Sequence, residues 1–227
     1  MLRAVIFDFD GVITDSEVLH LRAFNRMLGR FAIEISKEDY YRDYLGLTDL
    51  DLLAVLAEKG LLKVGPQDIE RLAKQKEEIF HRLVETGGTI IGGVRPFLRM
   101  LSENHVPIAI CSGALLAEIE LILDKEGLRK FFEVIVSAEQ VKKGKPHPDG
   151  FVLTLEKLNQ TRHDSPISTG QCVVIEDSHW GLDAAKAAGM HTVAITNSYD
   201  AEQLSMAEKV VNHLDELDLP DLEKLCA

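Results

Sequence analysis

The stretch Ala4-Val5-Ile6-Phe7-Asp8-Phe9-Asp10-Gly11 runs apolar for four residues and then places two carboxylates and a glycine in quick succession. A short, unbroken apolar run reads as a strand buried on both faces, the pattern of a parallel sheet. Spacing predicts that this strand covers Ala4 to Phe9. Asp8 therefore falls inside an apolar run, where an unpaired charge is costly, and a plain turn-forming role suits it poorly.

Four more runs of the same kind follow: Pro107 to Cys111, Phe132 to Val136, Cys172 to Ile175 and His191 to Ile195. Helical patterns separate them, for example Leu115 to Lys125 before Gly127 and Gly181 to Ala188 before Gly189. Each has glycine where a helix C-terminus favours it. Strand alternating with helix implies an α/β fold, a doubly wound parallel sheet covered on both faces. From Glu17 to Gly87 the alternation stops. Val18, Leu21, Met27 and Leu28 suggest one helix, Leu50 to Ala57 another and Ile69 to Val84 a third. The expected organisation is a core of residues 1–16 and 88–227 with a small all-helical domain, 17–87, inserted after the first strand. Thr86-Gly87-Gly88 and Gly92-Gly93 form its glycine-rich return, suited to hinging. The polar loop Gln160 to Gly170 is long for a helix-to-strand connection and suggests no function.

At 46% hydrophobic and 27% charged residues the chain has the composition of a globular protein, which argues against disorder. A net charge of −12 makes nucleic acid an improbable partner, because a polyanion needs a Lys/Arg surface. A small phosphate remains possible if lysine, backbone N–H groups and a cation make the site locally positive. The opening segment resembles neither a secretory signal nor a membrane span, and no partner in a membrane is expected. Three cysteines without framework spacing (Cys111, Cys172, Cys226) fit reduced thiols in a cytoplasmic protein.

Ligands of doubly wound sheets gather beyond the carboxyl ends of the strands. There stand Asp8-Phe9-Asp10-Gly11, Ser112-Gly113, Lys142-Lys143-Gly144-Lys145-Pro146 and Glu176-Asp177-Ser178. Four carboxylates on one edge raise one another's pKa unless a cation lies among them, and an all-oxygen set suits Mg²⁺. Asp15 and Ser16, which precede a helix, read more simply as cap residues. Of the three lysines, Lys145 is the one fixed in an extended backbone by the following proline.

These segments resemble, in order, the four motifs of haloacid dehalogenase-type phosphatases. The resemblance implies that Asp8 is the nucleophile and Asp10 the general acid and base, whose carbonyl also helps hold the metal. Ser112 and the Gly113 N–H would bind phosphoryl oxygens and Lys145 would offset their charge. Asp8, Asp10, Glu176 and Asp177 would hold Mg²⁺, and the substrate would be a small phosphorylated metabolite, a sugar phosphate or a phosphoglycolate-like acid. Dehalogenation explains neither Asp10 nor the metal carboxylates.

The inserted helices resemble the cap of the β-phosphoglucomutase subgroup. That likeness implies substrate contacts from His20, from Gly46 and Thr48 in Gly46-Leu47-Thr48, and from Lys76. Taken alone, His20 also reads as an ordinary helical histidine. Lys76 lies on the apolar stripe Ile69, Leu72, Ala73, Ile79, Phe80, Leu83, so a lysine snorkelling to solvent is an equal alternative. Where the related mutases hold the distal phosphate with arginine, ungapped spacing from Gly46 puts Asp49, which favours a phosphatase over a mutase. A non-enzymatic relative is the third reading, disfavoured because every charged role is filled.

Overall fold

The computed structural model describes residues 1–45, 47–86, 90–163 and 165–227. The chain divides into two compact units, Met1–Asp15 with Thr89–Ala227, and Ser16–Gly88. Ser16, grouped with the core in the sequence reading, instead opens the first helix of the second unit.

In the first unit, among the described residues, six strands form one parallel sheet: β1 (Ala4–Phe7), β2 (Ile108–Cys111), β3 (Val134–Val136), β4 (Cys172–Glu176), β5 (His191–Ile195) and β6 (Lys209–Val211). Their spatial order is β3-β2-β1-β4-β5-β6. The order reverses beside β1, whose Phe7 pairs with Ile110 on one side and Ile175 on the other. A doubly wound sheet opens its ligand crevice at such a reversal. β1 ends at Phe7, not Phe9 as expected. Beyond it the backbone turns, with the Ile13 and Thr14 N–H groups donating to the Phe9 carbonyl at 2.9 and 3.1 Å and Gly11 taking a positive φ of 75°. The edge strand β6 was not anticipated.

The second unit is helical throughout its described residues. It contains α1 (Ser16–Leu28), α2 (Lys37–Asp43), α3 (Asp49–Glu58) and α4 (Pro66–Glu85). Phe24, Met27, Leu28, Tyr40, Leu52, Leu53, Leu56 and Leu72 form its own core. The short α2, capped by the Ser36 side chain, was missed. Gly46, Gly87 and Gly88, invoked above as binding and hinge residues, lie outside the described residues.

The first unit continues with α5 (Val94–Glu103), α6 (Leu116–Lys125), α7 (Asp149–Asn159), α8 (His179–Ala187) and α9 (Leu219–Leu225). Ile6, Ala109, Cys111 and Val174 from the sheet pack against Phe151, Leu155 and Leu158 of α7 and Ala184 and Ala185 of α8. All three cysteines are free and buried, and burial pushes the Cys111 and Cys172 thiols up to about 11 and about 12. Such thiols stay protonated and unreactive at neutral pH. Among the described residues no helix is long and apolar enough to cross a membrane.

Candidate active site

The carboxyl end of β1 presents Asp8, whose N–H donates to the Ile175 carbonyl at 2.9 Å and so ties it to the end of β4. β4 ends in Glu176, with Asp177 next. Among the described residues these three buried carboxylates can offer oxygens that all lie within 4.8 Å of one another. Lys145 arrives from 137 residues along the chain. Its ammonium donates to Asp8 Oδ1 at 2.6 Å and to Glu176 Oε1 at 2.5 Å. Burial opposes its charge, but the two carboxylates outweigh burial and raise its pKa, so the lysine is cationic. Lys142 and Lys143 are exposed.

Three carboxylates against one ammonium leave an excess of negative charge out of water. Burial first, and Glu176 as a like charge, lift Asp8 to about 6, with Lys145 pulling the other way. Burial, Glu176 and Asp8 likewise raise Asp177 well above the usual carboxylate range. A divalent cation among these oxygens restores the balance, and the donors are all hard. The residues present therefore fit a metal site.

The three carboxylates are not equivalent. Glu176 Oε2 accepts from the Asp177 N–H, the Ser178 N–H and the Ser178 hydroxyl at 3.0, 3.0 and 2.9 Å, and Oε1 accepts from Lys145. Of the three it has the least lone-pair capacity left. Asp177 accepts a hydrogen bond from the Ser198 hydroxyl. The Asp10 carboxylate is not in the cluster; Asp10 lies in the turn, bridged to Thr14. Ser112 is buried just past β2, where its N–H donates to the Val136 carbonyl and its Oγ accepts from the Ala114 N–H at 3.0 Å. Gly113 beside it is exposed, with no atom within 4 Å of where a Cβ would lie.

Two glycines make room for the carboxylates. A Cβ on Gly11 would stand 1.7 Å from Asp177 Oδ2, and one on Gly181 would stand 1.7 Å from Glu176 Oε1. The strand-end rule, applied to four strands but not to the fifth, would also have found Asn197 and Ser198 just past β5. Ser198 donates to Asp177, and Asn197 donates to the Gly11 carbonyl at 2.7 Å.

A family model described as Haloacid dehalogenase-like hydrolase matches residues 5–195. The chain belongs to this family. Among haloacid dehalogenase-like proteins it is 31% identical to the phosphorylated carbohydrates phosphatase of Thermotoga maritima, over 85% of this chain and 84% of that one. It is 30% identical to hexitol phosphatase B of Escherichia coli, over 97% and 96%. A crystal structure of β-phosphoglucomutase from Clostridium difficile superposes with a TM-score of 0.79 at 26% identity, covering all of this chain and 97% of that one. The chain is thus a hydrolase of the haloacid dehalogenase-like family, and the named relatives at 30% identity or above are phosphatases.

The helical unit of this haloacid dehalogenase-like chain holds a second polar cluster. Lys76 is 1% exposed and does not snorkel. Its ammonium donates to Asp49 Oδ1 at 2.7 Å and pairs with His20 Nδ1 at 2.6 Å, over the faces of Phe24 and Phe80. The His20 ring stacks on Phe80 with centroids 4.2 Å apart. Burial, with Lys76 as a second cause, lowers His20 to about 3. A neutral ring with Nδ1 accepting from Lys76 requires its proton on Nε2. Thr48 caps α3: its hydroxyl accepts from the Asp51 N–H at 3.2 Å and donates to Asp51 Oδ2 at 2.7 Å.

Proposed function

We propose that this protein is a Mg²⁺-dependent phosphatase that hydrolyses phosphate monoesters of small carbohydrate-like metabolites through an aspartyl-phosphate on Asp8. The observation that carries the proposal is the buried set Asp8, Glu176, Asp177 and Lys145 at the reversal of the sheet. In this reading Asp8 attacks phosphorus and the ester oxygen leaves with its electron pair. With a pKa of about 6, Asp8 is mostly the carboxylate at neutral pH, as a nucleophile must be. Asp10 gives a proton to the leaving oxygen, then takes one from the water that attacks the aspartyl-phosphate, so the products are an alcohol and inorganic phosphate. Ser112 donates its hydroxyl hydrogen and Gly113 its N–H to phosphoryl oxygens. Glu176 acts mainly by holding Lys145 and Ser178 in place, so that Lys145 faces the developing charge. Asp8, Asp177 and the Asp10 carbonyl would hold magnesium, which would supply positive charge to offset that of the phosphoryl group.

The phosphatase reading is preferred to a mutase because the Lys76 charge is already matched by Asp49 at 2.7 Å. A mutase must hold a bisphosphate by its second phosphate, and a neutralised pair attracts that phosphate weakly. The proteins named as carbohydrate and hexitol phosphatases point to the same substrate class.

The test is phosphate release from a panel of sugar, sugar-alcohol and short-acid monophosphates with Mg²⁺. Steady release from at least one ester is expected, and none from any would overturn the reading. β-Glucose 1-phosphate with a trace of glucose 1,6-bisphosphate should give little glucose 6-phosphate. Faster accumulation of glucose 6-phosphate than of free phosphate would put the mutase in its place.

A further inference from the structure

Three aromatic rings at the surface of the first unit have no part in the chemistry above. His179 and Trp180 open α8, and Tyr199 follows Ser198 in the turn after β5. Their ring centroids lie 4.2 Å apart for His179 and Trp180, 5.0 Å for His179 and Tyr199, and 6.3 Å for Trp180 and Tyr199. Trp180 is the only tryptophan in the chain, and it remains 48% exposed. Trp180 is left in water while His179 and Tyr199 are half-buried beside it, Tyr199 resting on Leu182, Ala194 and Leu204, and a large exposed ring held in place by two others is the kind of surface that binds a ligand.

Two ties join this patch to the carboxylate site. Trp180 stands three residues after Asp177 at the start of one helix. Tyr199 adjoins Ser198, which donates to Asp177, and Asn197, which donates to the carbonyl of Gly11 in the turn leaving the nucleophile strand. The rings are therefore tied through their chain neighbours to Asp177, one of the carboxylates proposed to hold the metal, and to the turn that follows Asp8.

The chemistry of the patch selects its occupant. Its faces are apolar, while its edges carry the indole N–H, the phenol hydroxyl and imidazole nitrogens. A purely apolar group would leave those edge groups without partners, and a phosphate would gain nothing from the faces. A sugar or polyol matches both, with a C–H face for the rings and hydroxyls for the edges. We infer that His179, Trp180 and Tyr199 form a subsite that stacks against the carbon skeleton of a sugar or sugar-alcohol phosphate. The inference rests on the phosphatase reading and adds the residues that select the alcohol part of the ester.

The experiment compares the whole chain with Trp180→Ala and Trp180→Phe on sorbitol 6-phosphate and on acetyl phosphate, which has no polyol. In Trp180→Ala the ratio of kcat/KM for sorbitol 6-phosphate to that for acetyl phosphate should fall about fivefold to tenfold, mainly through KM. Trp180→Phe should return it to within about twofold of wild type. An unmoved ratio overturns the subsite, as does an equal loss on both substrates. A change of oligomeric mass at constant ratio overturns it too, because the patch would then join copies of the chain. If the wild type turns over neither substrate, the phosphatase reading is judged separately on the wider panel of esters, and the emission of Trp180 decides the subsite. A shift with sorbitol 6-phosphate that inorganic phosphate does not produce supports it, and no shift refutes it.

Discussion

Gly181→Ala should destabilise this protein although it improves a helix. Gly181 lies within α8, where alanine in place of glycine normally contributes about 0.5–1 kcal/mol. Here the new methyl carbon would stand 1.7, 1.9 and 2.4 Å from Oε1, Cδ and Oε2 of Glu176. A flexible carboxylate would ordinarily swing away, but Glu176 is fully buried and holds Lys145, the Asp177 N–H and both Ser178 donors. Overpacking of this kind costs about 1–3 kcal/mol, and losing one charge-assisted hydrogen bond costs about 1.5–3 kcal/mol more. Against the helical gain the net loss is about 1.5–5.5 kcal/mol, or roughly 3–22 °C in Tm for a chain of this size. Calorimetry and urea unfolding of wild type and Gly181→Ala measure it directly. A variant as stable as wild type, with undiminished activity, would refute the claim that Glu176 is pinned and that Lys145 depends on it.

Asp8→Asn should abolish phosphate release while leaving Tm within a few degrees of wild type, since the amide is nearly isosteric but cannot attack phosphorus; turnover in a clean preparation contradicts the nucleophile. EDTA should remove activity and Mg²⁺ restore it, with Asp177→Ala raising the Mg²⁺ needed for half activity at least about tenfold; full turnover in chelator removes the metal from the scheme. Because folding lowers His20 from its ordinary 6.5 to about 3, the unfolded chain takes up the proton first as pH falls, so His20 stabilisation is complete above 6.5 and is lost between there and 3. By pH 5 the loss is about 2 kcal/mol, and His20→Gln should flatten that part of the urea-stability profile; an equally steep profile in the variant would show that His20 is not responsible.

The sheet was legible because its buried strands are uninterrupted apolar runs that need no partner to be recognised. Lys145 could be chosen over Lys142 and Lys143 from the proline beside it, and the structure brings it to Asp8 and Glu176. Short elements were lost: β6 is three residues at a sheet edge and α2 is seven, too few for a period to emerge. The surroundings of Lys76 were beyond sequence reasoning, since a buried ammonium is tolerable only with Asp49, 27 residues away, and two aromatic faces in place. Nor did spacing reveal that Thr48 caps a helix. Asn197 and Ser198 went unread because nothing in Thr196-Asn197-Ser198-Tyr199 looks reactive; their role comes from position after β5.

The strand order carries a consequence for how the molecule is made. β1 leads the sheet in sequence but lies at its centre, with Val5 paired to Ile108 on one side and Val173 on the other. During synthesis at roughly 5–20 residues per second, its second neighbour emerges on the order of ten to thirty seconds after it does. Until β2 emerges Val5, Ile6 and Phe7 have no partner at all, and until β4 follows they can pair on one side only. The helical unit, whose core is drawn from its own residues, can meanwhile fold between β1 and β2 and so shorten the span that the two strands must close. A ribosome-stalled chain ending near residue 150 should accordingly contain a protease-resistant helical unit and an N-terminal strand still open to cleavage and to chaperones.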